Sequence, residues 1–110
     1  SLNRSNQSLS GPLALHCINM MNIDTAFIVA SGFATEGGFT CGDYNECMLK
    51  KLVINKARTV VLMLDSSKVG KLLPYTFAMP GDTDVIITDK PLPEKVLKSL
   101  NNENTIIICE

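Results

Sequence analysis

A single histidine, His16, stands in the 110-residue chain, and the four cysteines, Cys17, Cys41, Cys47 and Cys109, form no Cys-x-x-Cys pair. A zinc site would have to gather its ligands from distant positions without a local signature, so neither a metal ion nor a cofactor is expected. Isolated thiols flanked mostly by apolar residues fit a reducing compartment, and hence a cytoplasmic protein. No apolar run approaches the roughly 20 residues of a membrane span, and the opening Ser1-Leu2-Asn3-Arg4-Ser5-Asn6-Gln7 lacks the apolar centre of a secretion signal. A membrane partner is therefore not expected. Basic charge is sparse too. Ten Lys and Arg against eleven Asp and Glu leave a net charge of -1, and the cations are scattered, so the stripe that neutralises a nucleic-acid backbone is missing. No Gly-Lys-Ser/Thr follows the glycines, which excludes a P-loop. The first residue is not methionine, which predicts a processed product or a cut fragment.

What is present is a chain 45% hydrophobic, enough for one compact core and too short for two. Four short apolar runs rich in β-branched residues predict buried strands: Thr25 to Ala30, Thr59 to Leu64, Val85 to Thr88 and Thr105 to Cys109. Segments of helical period lie between them. Ser10 is placed to cap a first helix with Pro12 in its first turn and Leu13, Cys17, Met20 and Met21 on one stripe. Asp43 is placed to cap a second, with Glu46 in the capping-box position and Tyr44, Cys47, Met48 and Leu52 as the apolar stripe. A third begins near Pro93-Glu94 and carries Val96, Leu97 and Leu100. Leu72 to Gly81, broken by Pro74, Pro80 and Gly81, is expected to be a loop, and Asn101 to Asn104 a polar turn. Strands alternating with helices predict an α/β fold with a largely parallel sheet and right-handed crossovers.

Asp65-Ser66-Ser67-Lys68 follows directly on the apolar run Thr59 to Leu64, so polar groups emerge where a buried strand reaches the edge of its sheet. In open α/β sheets ligands bind there. Lys68 is a candidate binder of phosphate, with Asp65 holding its ammonium; the plainer alternative is a turn capped by Asp and Ser with Lys in water. Ser31-Gly32-Phe33 and Gly37-Gly38-Phe39-Thr40 are candidate ligand loops, because glycine lets backbone amides approach an anion; a flexible surface turn is the alternative. Glu46 either accepts sugar hydroxyls or pairs with Lys50 one turn on, a local gain of about 0.2 to 0.5 kcal/mol. Lys50 and Lys51 are expected on a solvated face. His16 has no triad partner, the cysteines and methionines fit core packing better than redox chemistry, and Arg4 and Asn6 lie in a polar lead-in.

In order along the chain, Phe27-Ile28-Val29-Ala30-Ser31-Gly32-Phe33, Glu36-Gly37-Gly38-Phe39-Thr40, Glu46 with Lys50, Leu64-Asp65-Ser66-Ser67-Lys68 and Asp84-Val85-Ile86-Ile87-Thr88-Asp89 resemble the effector-sensing domain of DeoR-family bacterial transcriptional regulators. The opening Asn6-Gln7-Ser8-Leu9-Ser10-Gly11-Pro12 resembles that family's lead into its helix. The resemblance implies a Rossmann-like, mostly parallel sheet flanked by helices, as in ribose-5-phosphate isomerase, glucosamine-6-phosphate deaminase and CoA transferases. It implies sensing of a phosphorylated sugar or related anionic metabolite, control of sugar-metabolism genes as a repressor, self-association, and contact with DNA only through an N-terminal helix-turn-helix that residues 1–110 do not contain. An earlier glycine/threonine phosphate loop of the family is also missing, so the chain resembles the C-terminal part of a sensor. By that resemblance Ser31, Gly32, Gly38, Thr40, Glu46 and Lys68 line the ligand site. A sugar-phosphate isomerase or deaminase of the same fold is the alternative, and an interaction module without a ligand is a third. The isomerases' Asp-Gly-Ala-Asp run is replaced by Ala30-Ser31-Gly32-Phe33, so of the expected acid and base groups only Glu46 and Lys68 remain, and catalysis is not expected.

Overall fold

The computed structural model describes residues 11–100 and 106–109. Their order is α1 (Pro12–Asn19), β1 (Ile23–Val29), β2 (Gly32–Ala34), β3 (Gly38–Cys41), α2 (Tyr44–Lys56), β4 (Ala57–Leu64), a 3-10 turn (Ser66–Lys68), β5 (Tyr75–Ala78), a second 3-10 turn (Pro80–Asp82), β6 (Val85–Thr88), α3 (Glu94–Leu100) and β7 (Ile106–Cys109). Four strands form a parallel sheet in the order β1-β4-β6-β7. The α/β class and the Rossmann-like parallel sheet expected from the sequence are both present. The capping serine and the turn at 101–104 expected from the sequence lie outside the described residues.

Each expected strand is found, with β1 and β4 beginning two residues earlier than the apolar runs do. Ile23 and Ala57 open the pairing of those two strands, because backbone hydrogen bonding continues past the apolar core where half-exposed residues still fit the ladder. In β1 the side chains alternate, with Ala26 and Ile28 buried and Asp24, Thr25, Phe27 and Val29 exposed. Every step from β1 through β4 and β6 to β7 moves to the next position in the same direction. Right-handed crossovers then put all connecting elements on one face. The core is on that face. Ala26, Ile28, Leu62, Leu64 and Ile86 of the sheet join Cys47, Leu92 and Leu100, with Val53 and Ile54 of α2 and Val96 and Leu97 of α3 packed against them.

A second, three-stranded antiparallel sheet, in the order β2-β3-β5, corrects two expectations. The segments expected as glycine loops are β2 and β3, and the expected loop Leu72 to Gly81 contains β5. The missed signal in β5 is Phe77 and Ala78, which are buried at the end of a run with only two inward side chains. Tertiary pairing against β3 overrides the breakers Pro74 and Pro80, which sit outside the strand. The small sheet is held by a row of rings. Phe33 and Phe39 lie 4.9 Å apart between centroids, and Phe39 and Phe77 6.5 Å; burial of each such side chain contributes about 1.5 to 3 kcal/mol.

Asp43 caps α2 as expected, its carboxylate accepting the Glu46 N–H at 2.9 Å. The helix turns differently from its expected stripe. Tyr44 is exposed and meets Tyr75 edge-on at 5.7 Å, while Val53 and Ile54 reach the core, because the helix packs between the two sheets and α1. In α1 the expected stripe faces outward: Leu13, Met20 and Met21 are exposed, and Ala14 is the buried residue. Cys41 and Cys47 are buried as core thiols, whereas Cys17 and Cys109 are exposed.

Gly38 joins the hairpin to β5 with φ +72°, and a Cβ there would stand 2.6 Å from the Ala78 carbonyl oxygen. Gly38→Ala is expected to lose about 2 kcal/mol or more in urea unfolding, since left-handed backbone and a backbone clash both oppose it. Gly42→Ala, where nothing lies within 4 Å, should stay close to the wild type.

Candidate ligand-binding site

At the carboxyl ends of β1, β4 and β6 the sheet opens into a shallow crevice of about 240 Å³, lined by Val29, Met63, Leu64, Asp65, Ile87, Thr88 and Asp89. Its polar rim consists of two carboxylates. Asp89 accepts two bonds from one serine, the Ser66 N–H at 2.7 Å and the Ser66 hydroxyl at 3.2 Å. The backbone bond from Ser66 is the largest influence holding its carboxyl below the usual carboxylate range. Asp65 accepts the Ser67 N–H at 2.9 Å and so caps the 3-10 turn. The expected pairing of Asp65 with the Lys68 ammonium is not formed, and among the described residues no ion pair joins them. A short side chain one residue from the turn reaches the Ser67 amide more easily than an ammonium at the turn's far end.

Lys68 closes that turn, half-buried, with its backbone N–H bonded to the Asp65 carbonyl at 2.9 Å. Its ammonium has no hydrogen-bond or ion-pair partner among the described residues. The chain then runs on to the hairpin: Val69 bridges to Phe33 and the Gly70 N–H donates to the Phe33 carbonyl at 2.7 Å. Ser31 starts the hairpin, its N–H bonded to the Thr40 carbonyl at 3.1 Å. The strand-end turn and the glycine hairpin, far apart in sequence, are thus neighbours.

Three of the six candidates lie behind this surface. Thr40 is fully buried and its hydroxyl oxygen accepts the Leu73 N–H at 3.1 Å. Gly32 lies so close to it that a Cβ would stand 2.7 Å from that hydroxyl and 2.6 Å from the Lys71 carbonyl oxygen. Gly38 is buried against Ala78 and Met79. Glu46 is exposed and pairs with Lys50 at 2.8 Å, the plainer of its two sequence expectations. Lys50 itself departs from the solvated face expected of it. Its side chain is only 15% exposed, its ammonium donates to the Val29 carbonyl at 2.5 Å and it lies 4.9 Å from the centre of the Phe77 ring. Phe77 lies in the segment that its prolines and glycine mark as loop, so no sequence signal points to this contact. Lys50 therefore links α2, the end of β1 and β5.

Cys41 is a poor candidate for reactive chemistry, because burial first and the neighbouring Cys47 second push its thiol up. No group of three or more His, Cys, Asp or Glu among the described residues could hold a metal ion. No helix among them is long and apolar enough to cross a membrane. A larger groove of 640 Å³ runs between α1 and α2, lined by residues including His16, Asn19, Lys51 and Asn55. Phe77 of β5 and Asp82 of the second 3-10 turn complete its lining.

A family model described as the DeoR C terminal sensor domain matches residues 1–90. The chain belongs to the DeoR sensor-domain family. An uncharacterized HTH-type transcriptional regulator of Haemophilus influenzae is 34% identical to this DeoR sensor chain over 93 residues, 84% of the chain and 36% of that protein. The HTH-type transcriptional regulator GlpR of Haloferax volcanii is 29% identical, covering 98% of the chain and 42% of the relative. The glycerol-3-phosphate regulon repressor of Escherichia coli is 28% identical, covering 86% and 37%. The DeoR chain thus spans well under half the length of these relatives, all of which are named as transcriptional regulators.

The depressed carboxyl of Asp89 predicts a sign for its pH dependence. A group whose folded value lies below its unfolded one contributes stability above the unfolded value and loses it as pH falls through the folded one. The melting-temperature gap between wild type and Asp89→Asn should therefore be present near neutral pH and shrink on acidification below the ordinary carboxylate range. A gap constant with pH would show that the Ser66 bonds do not depend on the charge.

Proposed function

We propose that this chain is the C-terminal part of a sensor domain that binds a phosphorylated sugar or related anionic metabolite for a cytoplasmic DeoR-type repressor of sugar-metabolism genes. The observation that carries the proposal is the ammonium of Lys68, which has no partner among the described residues, at the end of the turn whose capping residue, Asp65, lies on the rim of the strand-end crevice. An ammonium so placed binds phosphate as a point charge. The carboxylates of Asp65 and Asp89 on the crevice rim suit hydroxyl groups, since ionised carboxylates only accept hydrogen bonds, and would repel a second phosphate. A ligand with one anionic end and one polyol end fits both features. The name of the Escherichia coli relative, with glycerol 3-phosphate in it, belongs to that chemical class.

Of the six residues proposed for the site, Lys68 takes the phosphate, Ser31 offers its hydroxyl at the start of the hairpin, and Glu46 accepts sugar hydroxyls from α2. Gly32, Gly38 and Thr40 act from behind, by fixing the hairpin on which Ser31 stands. The domain acts by binding alone. Glu46 is already tied to Lys50, which leaves no free acid and base pair for isomerisation. A metabolite that binds the DNA-competent and DNA-released arrangements differently shifts their populations by that difference. DNA is contacted by an N-terminal domain outside this chain, and the regulator self-associates to meet paired half-sites.

In the whole regulator, Lys68→Ala should weaken binding of the preferred phosphorylated sugar or polyol by about 10-fold or more, the loss of one hydrogen bond to a charged group, with the melting temperature of the free protein unchanged. Titration calorimetry with glycerol 3-phosphate and a panel of sugar phosphates measures this. Equal affinity would remove Lys68 from the site. A ligand at ~100 times its dissociation constant should stabilise the wild type by roughly 2.7 kcal/mol; no stabilisation by any member of the panel favours an interaction module instead, and turnover of ribose 5-phosphate or glucosamine 6-phosphate would restore the enzyme reading.

A further inference from the structure

The Lys50 side chain, only 15% exposed, keeps a charge largely out of water, which is unfavourable unless that charge is opposed and its N–H donors are satisfied. Three groups meet the need. The Glu46 carboxylate stands 2.8 Å from the ammonium, the Val29 carbonyl accepts from it at 2.5 Å, and the Phe77 ring offers its face at 4.9 Å from the centre. An ordinary ion pair one turn apart on a helix is loose, because both side chains swing in water. This pair is held: the strand carbonyl and the ring fix the ammonium, and the ammonium fixes the carboxylate.

The place where it is fixed matters. Val29 ends β1 and lines the strand-end crevice, and Ser31, two residues on, opens the hairpin with its N–H on the Thr40 carbonyl. The Asp43 cap holds the Glu46 backbone N–H and so sets the first turn of α2, but it leaves the Glu46 side chain free to rotate. Lys50 removes that freedom and ties the carboxylate to the carboxyl end of β1. Only Oε1 of Glu46 is taken up in the pair. Oε2 makes no hydrogen bond among the described residues, and an ionised carboxylate oxygen can only accept.

We propose that Lys50 is a positioning residue of the effector site: without touching the ligand, it holds Glu46 at the end of β1 so that Oε2 receives the hydroxyl groups of a phosphorylated sugar or polyol. The assignment rests on the effector reading of the strand ends. The two lysines then divide the work. Lys68 meets the anionic end of the ligand, whereas Lys50 acts through Glu46 on the hydroxyl end and decides how well a sugar phosphate is told from a bare phosphate.

Titration calorimetry on the whole regulator compares Lys50→Met, which keeps an unbranched stem against Phe77, with Glu46→Gln, the double variant, and Lys51→Met as a control on the same helix. The probes are glycerol 3-phosphate, ribose 5-phosphate, glucosamine 6-phosphate and inorganic phosphate. Each single variant at Lys50 or Glu46 should weaken the sugar or polyol phosphates that the wild type binds by about 10-fold, the loss of one hydrogen bond to a charged group. The double variant should be no weaker than either single one, because both changes remove the same contact. Inorganic phosphate should bind Lys50→Met as it binds the wild type, and Lys51→Met should match the wild type with every probe. Losses that add would show Lys50 acting apart from Glu46, and an equal loss of inorganic phosphate would show it serving the anion or the fold; either result overturns the proposal, as does unchanged affinity for the sugar phosphates. Lys50→Gln, with its shorter polar side chain, is read in the same way should the methionine variant fail to fold. A wild type that binds none of the three organic phosphates would remove the effector reading itself, and this assignment with it, a result distinct from all of these.

Discussion

A sheet whose strands are wound in one direction can be roofed by its own connections on only one side, and most features of this DeoR sensor chain follow from that constraint. The covered side has a mixed roof: two helices, and between them a small antiparallel sheet closed by Phe33, Phe39 and Phe77. The helices bury Cys47 and Leu100, while the small sheet fixes the start of the hairpin beside the strand ends. The polar chemistry gathers there because the carboxyl ends of β1, β4 and β6 leave the core together.

The strand-end region is organised mainly by short acidic side chains that accept backbone N–H groups. Asp43 caps α2, Asp65 caps the turn after β4 and Asp89 holds Ser66, while at the opposite, amino end of β6 Asp84 accepts the Val60 N–H at 2.7 Å. Each satisfies amides that the regular elements leave without partners. Lysines divide by what surrounds them. Lys50 is drawn onto an aromatic ring and a strand carbonyl, and Lys68 has no ion-pair partner among the described residues.

The parallel half of the fold was legible in the sequence because its signals are local. Thr59 to Leu64 and Val85 to Thr88 are dense β-branched runs, and Asp43 precedes a helix with a visible cap. The small sheet was not legible. Gly32 and Gly38 carry the usual marks of loops, and β5, the second partner of β3, lies more than thirty residues away behind Pro74, so only the tertiary ladder reveals β2 and β3 as strands. The outward turn of Leu13, Met20 and Met21 was equally hidden, since periodicity finds a stripe without saying what it faces. At the site, Lys68 and Glu46 could be singled out from the sequence as charged groups, but Asp89 and Lys50 make contacts with Ser66, Val29 and Phe77 that no spacing rule encodes.

The two hydrogen bonds from Ser66 to Asp89 have a mechanical meaning. One carboxylate fastens the turn that ends in Lys68 to the loop leading from β6 into α3, so the two cannot slide independently without breaking a pair of hydrogen bonds. Whatever displaces one of them must carry the other along or give up both bonds, and both end on a single aspartate.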